Sequence, residues 1–596
     1  MKNKIYIALL ASVIMYSCQK LDREFITDLS QEQIEVSYDR TTQLLNAVYV
    51  ELREGFFDIG GTAMMASATD EAEHAQENAA VQNFNNGSWN AINNPNNVWG
   101  AYYRGIRRAN FFLESIGKVN LDLYKLDPSL SQQDVYRTRL YEMERWKYEA
   151  RFLRAYFYFE LVKRYGGVPL ITQTLGVENV ADTKRNTLEE CIEYIKNECD
   201  SVASVLIPGS DVNRTPELIP VSYLPTSIYL GRATRGAALA LKSKVLLYAA
   251  SELFNNPSWA GGYANKDLIS LSGSSRTQRW QAASDASLAV INAYGTASLG
   301  NTYSSLFGTT GLSQSEMIFI RRNTASNSFE QANFPIGLQG RSGTNPSQNM
   351  VDAYEIRKGS GPTQTAVPFD WTNPTHVANI YTSGTGDNAR DPRLDFTIAV
   401  NNKQLVNNAG FNRVLQIYTG GLDGKPTPDA TKTGYYIKKY INNAPNATGV
   451  HSWVFIRMAE VFLNYAEARN ELGDLATARD YINRVRSRPG VAMPLIAAGL
   501  TQAEIRDRIM HERRVEFAFE DHRAWDVRRW MTAKSVLGAP IRGVNITRLT
   551  TVPTVTFSYT PFDVEQRVFD ENKMYLYPIP QGDIINSPGL IQNPGW

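Results

Sequence analysis

The chain has 596 residues, with 61 Lys+Arg against 60 Asp+Glu and 43% hydrophobic residues, enough for more than one full core at roughly 100–200 residues per domain. A net charge of +1 with 20% charged residues excludes a polybasic nucleic-acid binder and a highly charged disordered chain. No apolar run reaches the ~20 residues of a membrane-crossing helix, which excludes a bundle of such helices.

The N-terminus reads MKNKIYIALLASVIMYSC: basic Lys2 and Lys4, an apolar run over 5–15, and small Ser17 before Cys18. That order predicts a secretory signal over 1–17. A cysteine directly after the apolar run predicts acylation at Cys18, which tethers a domain to a bilayer without spanning it. An ordinary signal peptide with an incidental cysteine is the plainer alternative, because Met15 and Tyr16 stand where Leu and a small residue are usual. Removing 1–17 deletes both lysines and leaves a nearly neutral domain over 18–596.

Apolar residues recur at three- and four-residue spacing over 38–54, 97–117, 142–165, 187–205, 232–253 and 278–294, which predicts helices. Within 142–165, Glu149, Arg151 and Arg154 share the helix with Phe152, Tyr156 and Phe159, so the charges are expected to pair while the aromatics pack. Gly166, Gly167 and Pro169 then end it. Cys191 and Cys199 fall on one helix. Eight residues at about 1.5 Å each separate them by ~12 Å, beyond the ~7 Å that a disulfide spans. They read as small buried hydrophobes.

Residues 296–450 are rich in Gly, Asn, Thr and Pro, with short strand-like runs at 317–320 (MIFI) and 434–441 (GYYIKKYI). Helical periodicity returns over 456–472, 475–487 and 502–521. Ala466 and Ala478 flank a Gly473-Asp474 turn, the small-residue spacing of a tetratricopeptide-like helix hairpin, and 236–252 with 280–293 is a looser version. The expected fold is mainly α. Irregular TPR-like hairpins form a helical frame over about 30–295 and 451–535. A loop-rich insertion with short strands occupies about 296–450, and a tail runs over about 536–596, all in one domain.

Enzyme signatures are sparse. HERRV at 511–515 opens like a zinc-protease motif, but Val515 stands where the second histidine would be. Asp70, Glu73, His74 and Glu77 in TDEAEHAQE would cluster on one helical turn and hold a cation, although a solvated face is the plainer expectation. No GxSxG, GxxxxGK or GxGxxG occurs. Paired carboxylates are a spatial matter that sequence leaves open. Glu512, Arg513, Arg514, Glu516, Glu520 and Arg523 alternate in sign along one amphipathic segment, which reads as an ion-pair lattice rather than a general-base constellation.

Several blocks together resemble the RagB/SusD family of nutrient-uptake outer-membrane lipoproteins. They are WGAYYRGIRRANFFLE (99–114), EARFLRAYFYFELVKRYGGVPL (149–170), GRATRGAALALKSKVLLYAASELF (231–254), RDPRL (390–394), FIRMAEVFLNYAEARNELG (455–473), INRVRSR (482–488), IMHERRVEFAFEDHRAWDVRRW (509–530) and YPIPQGDIINSPGLIQNPGW (577–596). Trp596 stands where the family commonly ends in Tyr. The resemblance implies a non-enzymatic, cofactor-free lipoprotein on the outer face of the outer membrane. It would bind an oligosaccharide, in some members a peptide, and deliver it to a SusC-like TonB-dependent transporter. A secreted all-helical glycan hydrolase and a purely structural docking lipoprotein are the other classes considered.

Carbohydrate sites use flat aromatic faces with planar amides and guanidinium groups. Trp99, Trp146, Trp280, Trp453, Trp525 and Trp530 lie in periodic or family-like segments and read as packing, and Trp596 belongs to the terminal motif. Trp89, Trp259 and Trp371 remain in polar Asn- and Gly-rich loops, with Tyr303 and Tyr381 behind them, as expected sugar platforms. Arg341, Asn345 and Asn86 are the expected polar partners.

Overall fold

The computed structural model describes residues 37–176, 181–205, 218–224, 226–295, 299–308, 315–549 and 555–596. The signal segment and Cys18 lie outside the described residues. The molecule is mainly helical. Its longer helices are α1 (Tyr38–Val50), α2 (Trp99–Ser115), α3 (Leu130–Tyr165), α4 (Leu188–Ser204), α5 (Arg235–Ala250), α6 (Arg276–Tyr294), α7 (Met458–Glu471), α8 (Leu475–Arg486), α9 (Gln502–Glu516) and α10 (Arg523–Arg529).

Local chemistry sets several of these boundaries. Thr187 with Glu190, Ser275 with Gln278 and Thr501 with Glu504 form reciprocal capping boxes at the starts of α4, α6 and α9. Helix α3 is 36 residues long and begins well before the expected 142. Its first turns are polar, and Leu130 and Leu140 point to solvent, so no apolar stripe marks them. Gly166 ends it at φ 76°, where an added Cβ would lie 2.4 Å from the Leu268 carbonyl. Expected helix 502–521 stops at 516, because Phe519 and Asp521 adopt left-handed φ of 62° and 65° and turn the chain into α10.

Each helix packs on the next in chain order, α2 on α3, α3 on α4, α4 on α5 and α5 on α6. Helix α6 then packs directly on α7, although more than 160 residues separate them. Small residues allow close approach. Ser243 and Ser287 hydroxyls meet at 2.8 Å between α5 and α6, and Ala466 and Ala478 are fully buried on α7 and α8.

The excursion between α6 and α7 is closed by two antiparallel strands, β2 (Met317–Arg322) and β4 (Ser452–Arg457). The start of the expected 456–472 helix is therefore strand. In the excursion the strands are short, and only 436–437 of the 434–441 run pairs as strand. Strand β1 (Ala72–His74) pairs with β3 (Thr344–Pro346) and so stitches the N-terminal region to the excursion. After α10, a hairpin of Ile541–Leu549 and Thr556–Glu565 leads into the tail. There Asn593 Nδ2 donates to the carbonyls of Tyr165 and Tyr577 at 3.0 and 2.7 Å.

Candidate functional site: an arginine-lined cleft

An open cleft of about 760 Å³ lies where residues 54–62 and 74–76 meet residues 321–343 of the excursion. Its size falls within the ~300–1,000 Å³ of small-ligand sites. Phe56 anchors one wall, with ring contacts at about 5 Å to Phe329, Tyr440 and Trp453. Gly55 is needed beside it, since a Cβ there would sit 2.1 Å from the Trp453 ring. With Phe56 turned inward, neighbouring Phe57 lines the cleft half-buried.

The opposite wall is the end of β2. Ile318, Phe319 and Ile320 are buried, and Phe319 stacks on Phe455 at 5.0 Å. The apolar run therefore plugs into the frame, and the next two residues, Arg321 and Arg322, emerge at the cleft. Arg321 also donates to the Leu52 carbonyl. Arg341 reaches the cleft from the turn before β3, where its N–H bonds the Gln331 carbonyl at 3.0 Å. His74, on β1, lies at the base. It is 2% exposed, its Nδ1 accepts from the Gln76 N–H, and burial lowers its pKa, which keeps the ring neutral. Glu54 is the lone carboxylate among the lining residues and accepts from Asn323.

A second cleft of about 520 Å³ runs along α2 and is lined by Arg104, Arg107, Arg108 and Lys118. Arg104 and Arg108 are already committed to Glu51 at 2.9 and 2.8 Å.

The charged C-terminal segment is a buried lattice, and most of its partners are distant rather than successive along one helix. Glu516 meets Arg457 at 2.7 Å, Arg393 at 2.9 Å and Arg488 at 3.3 Å. Glu512 meets Arg393 and Arg486, Glu520 meets Arg457 and Lys439, and Arg513 and Arg529 share Asp526. Burial opposes ionisation of Glu516, but Arg488, Arg457 and Arg393 outweigh it and hold the carboxyl well below its ordinary range. Arg151 and Arg154 likewise reach across to Glu198 on α4, at 2.7 and 3.1 Å.

Comparison with known proteins places this architecture. The profile described as "SusD family" matches residues 315–596, and the one described as "Starch-binding associating with outer membrane" matches 24–247. The chain belongs to the SusD/RagB family. A SusD-like protein of Bacteroides fragilis superposes with a TM-score of 0.73 at 26% identity, over 95% of this chain and 99% of that one. A SusD-like carbohydrate-binding protein of the same species superposes at 0.70 with 24% identity, over 94% and 100%. SusD-like protein P2 of Formosa agariphila is 33% identical over 24% of this chain. This chain spans about a quarter or less of the curated relatives it matches.

Against this SusD-like frame, most of the expected sugar platforms are packing residues. Trp89 is 2% exposed, enclosed by Phe84, Tyr577 and Trp596. Trp259 is buried against Tyr575, and Tyr381 is buried among Tyr435 and Tyr559. Tyr303 is buried, accepting from Lys439 and donating to the Glu516 carbonyl. Asn345 is buried beside Glu73 in the β1–β3 pair and bonds the Ser342 carbonyl. The segments that carry these four rings fold back onto the frame, so none of the four is left open to a ligand.

Trp371 is half-buried, its indole N–H on Asp352 at 3.1 Å, and Asn86 is exposed, accepting from the Ser88 N–H. Both stand outside the residues that line the cleft. Arg341 is the expected ligand residue that the cleft contains.

The 69–77 segment is neither a helical turn nor a solvated face. Residues 72–74 are buried strand, Asp70 pairs with Arg514 and Arg523, and Glu73 pairs with Arg567. No group of three or more metal-ligating side chains occurs among the described residues. Reasoning from sequence missed Phe57, Arg321 and Arg322. The usable signal was two arginines directly after the apolar MIFI run and before a polar NTASNS loop.

Proposed function

We propose that this protein captures an oligosaccharide at the outer face of the outer membrane and passes it, chemically unchanged, to a SusC-like TonB-dependent transporter. The cleft carries the reading: it is open, and guanidinium, amide and hydroxyl groups suited to sugar hydroxyls surround the single aromatic face of Phe57. Glycoside hydrolysis by the common route needs two carboxylates, and the lining residues supply only Glu54, which favours binding over turnover. The fold shared with a carbohydrate-binding protein of Bacteroides fragilis supports the same reading. Acylation of Cys18 would supply the anchor.

Titration calorimetry against a panel of oligosaccharides is expected to show saturable binding, and a reducing-end assay on the same mixtures is expected to show no new ends. New reducing ends would overturn the non-catalytic half, and peptide-only binding the sugar half. Co-purification of a barrel transporter from solubilised outer membranes tests the partner. Release of a Cys18→Ser variant into the soluble fraction tests the anchor.

A further inference from the structure

The structure assigns the cleft to anionic oligosaccharides, sugars bearing carboxylate or sulfate groups, an inference that rests on the glycan-capture reading above. Three guanidinium groups, Arg321, Arg322 and Arg341, face one carboxylate, Glu54. None of the three arginines lies within 4.0 Å of a carboxylate among the described residues, whereas several buried arginines of the same chain are each brought to one or more carboxylates. Arg393 alone contacts Asp391, Glu512 and Glu516. Where no carboxylate is at hand, buried Arg390 takes the carbonyls of Tyr354, Ile380 and Val351.

Arg322 and Arg341 are exposed, and among the described residues neither side chain has a hydrogen-bond or ion-pair partner, which leaves their forks free for an incoming group. A guanidinium fork matches carboxylate and sulfate oxygens in pairs, and such bonds are roughly twice as strong as neutral ones. The stacking surface is correspondingly small. Phe57 is the one aromatic ring besides His74 among the lining residues, so a neutral glycan would find little area to stack on. His74 is held neutral by its burial and adds no charge of its own to the cleft. Glu54 accepts from the Asn323 amide and is outnumbered three to one by the guanidinium groups.

The test is a library of pectin-, alginate- and carrageenan-derived oligosaccharides, each paired with its carboxyl-reduced or desulfated counterpart and titrated into the full-length protein. The expected result is at least tenfold tighter binding of an anionic member than of its neutral counterpart. That gap should narrow between 50 and 500 mM NaCl, since exposed charges are screened, and disappear in an Arg322→Gln/Arg341→Gln variant of unchanged melting temperature. Neutral members binding as well as anionic ones, with the double variant unaffected, would overturn the anionic assignment and leave glycan capture standing. Binding of poly-glutamate but of no sugar would overturn both, as would failure of every sugar to bind.

Discussion

The arginines of the buried lattice and those of the cleft are the same side chain under opposite constraints. In the lattice, Arg457 and Arg393 are each 1% exposed and bond carboxylates brought in from distant parts of the chain. A guanidinium in that setting is stable only because its partners are fixed around it. In the cleft, Arg322 and Arg341 remain hydrated and without carboxylate partners, so the fold neither depends on them nor restrains them. The difference separates structural charge from available charge. Burial without partners would be ruinous, whereas exposure without partners is a vacancy for a ligand.

Four measurements bear on that contrast. Glu516→Ala would leave Arg393, Arg457 and Arg488 without a shared counter-charge and is expected to cost about 3–5 kcal/mol in chemical denaturation. A loss under 1 kcal/mol would show that the lattice is not structural. Glu71→Gln should act in the other direction. Burial, then the neighbouring Asp70, push the Glu71 carboxyl up to about 8, so the folded state retains a proton that the unfolded chain releases near pH 4.5. Stability is therefore full below pH 4.5 and falls as pH rises toward 8. The amide is expected to recover up to about 3 kcal/mol at pH 7 and nothing at pH 4, at 1.36 kcal/mol per unit. Equal effects at both pH values would remove the titration argument.

The Arg322→Gln/Arg341→Gln pair is expected to change stability by less than about 0.5 kcal/mol while reducing anionic-sugar affinity about tenfold, ~1.4 kcal/mol. A matching fall in melting temperature would erase the distinction between the two sets of arginines. Phe57→Ala should give the smallest change, about 1 kcal/mol of binding lost equally for anionic and neutral sugars. A loss confined to anionic sugars would mean that the ring positions Arg321 rather than the ligand.

The helical frame was legible because each helix buries a stripe, and α5 through α9 announce themselves by their apolar period. The first turns of α3 were not, since nothing apolar there faces the core. The end of α9 was missed for the opposite reason: apolar spacing continues through Val515, Phe517 and Phe519 while the backbone turns left-handed. The cleft is assembled from residue 54 and residue 341, stretches that share no local pattern, so periodicity has nothing to report on it. Trp89 and Trp259 are buried for a physical reason. An Asn- and Gly-rich loop specifies turns, not exposure, and Trp89 uses its turn to reach Trp596.

One feature of the fold has an evolutionary reading. The two ends of the excursion lie side by side, with Arg322 opposite Ser452, and α6 meets α7 as though nothing intervened. Such a stem is a natural graft point. Arg393 and Lys439 nonetheless lock the stretch between its strands to the buried lattice, so variation in length falls to its exposed loops, and one wall of the cleft travels with it. A lineage could then reshape that wall loop by loop while its scaffold stays as it was.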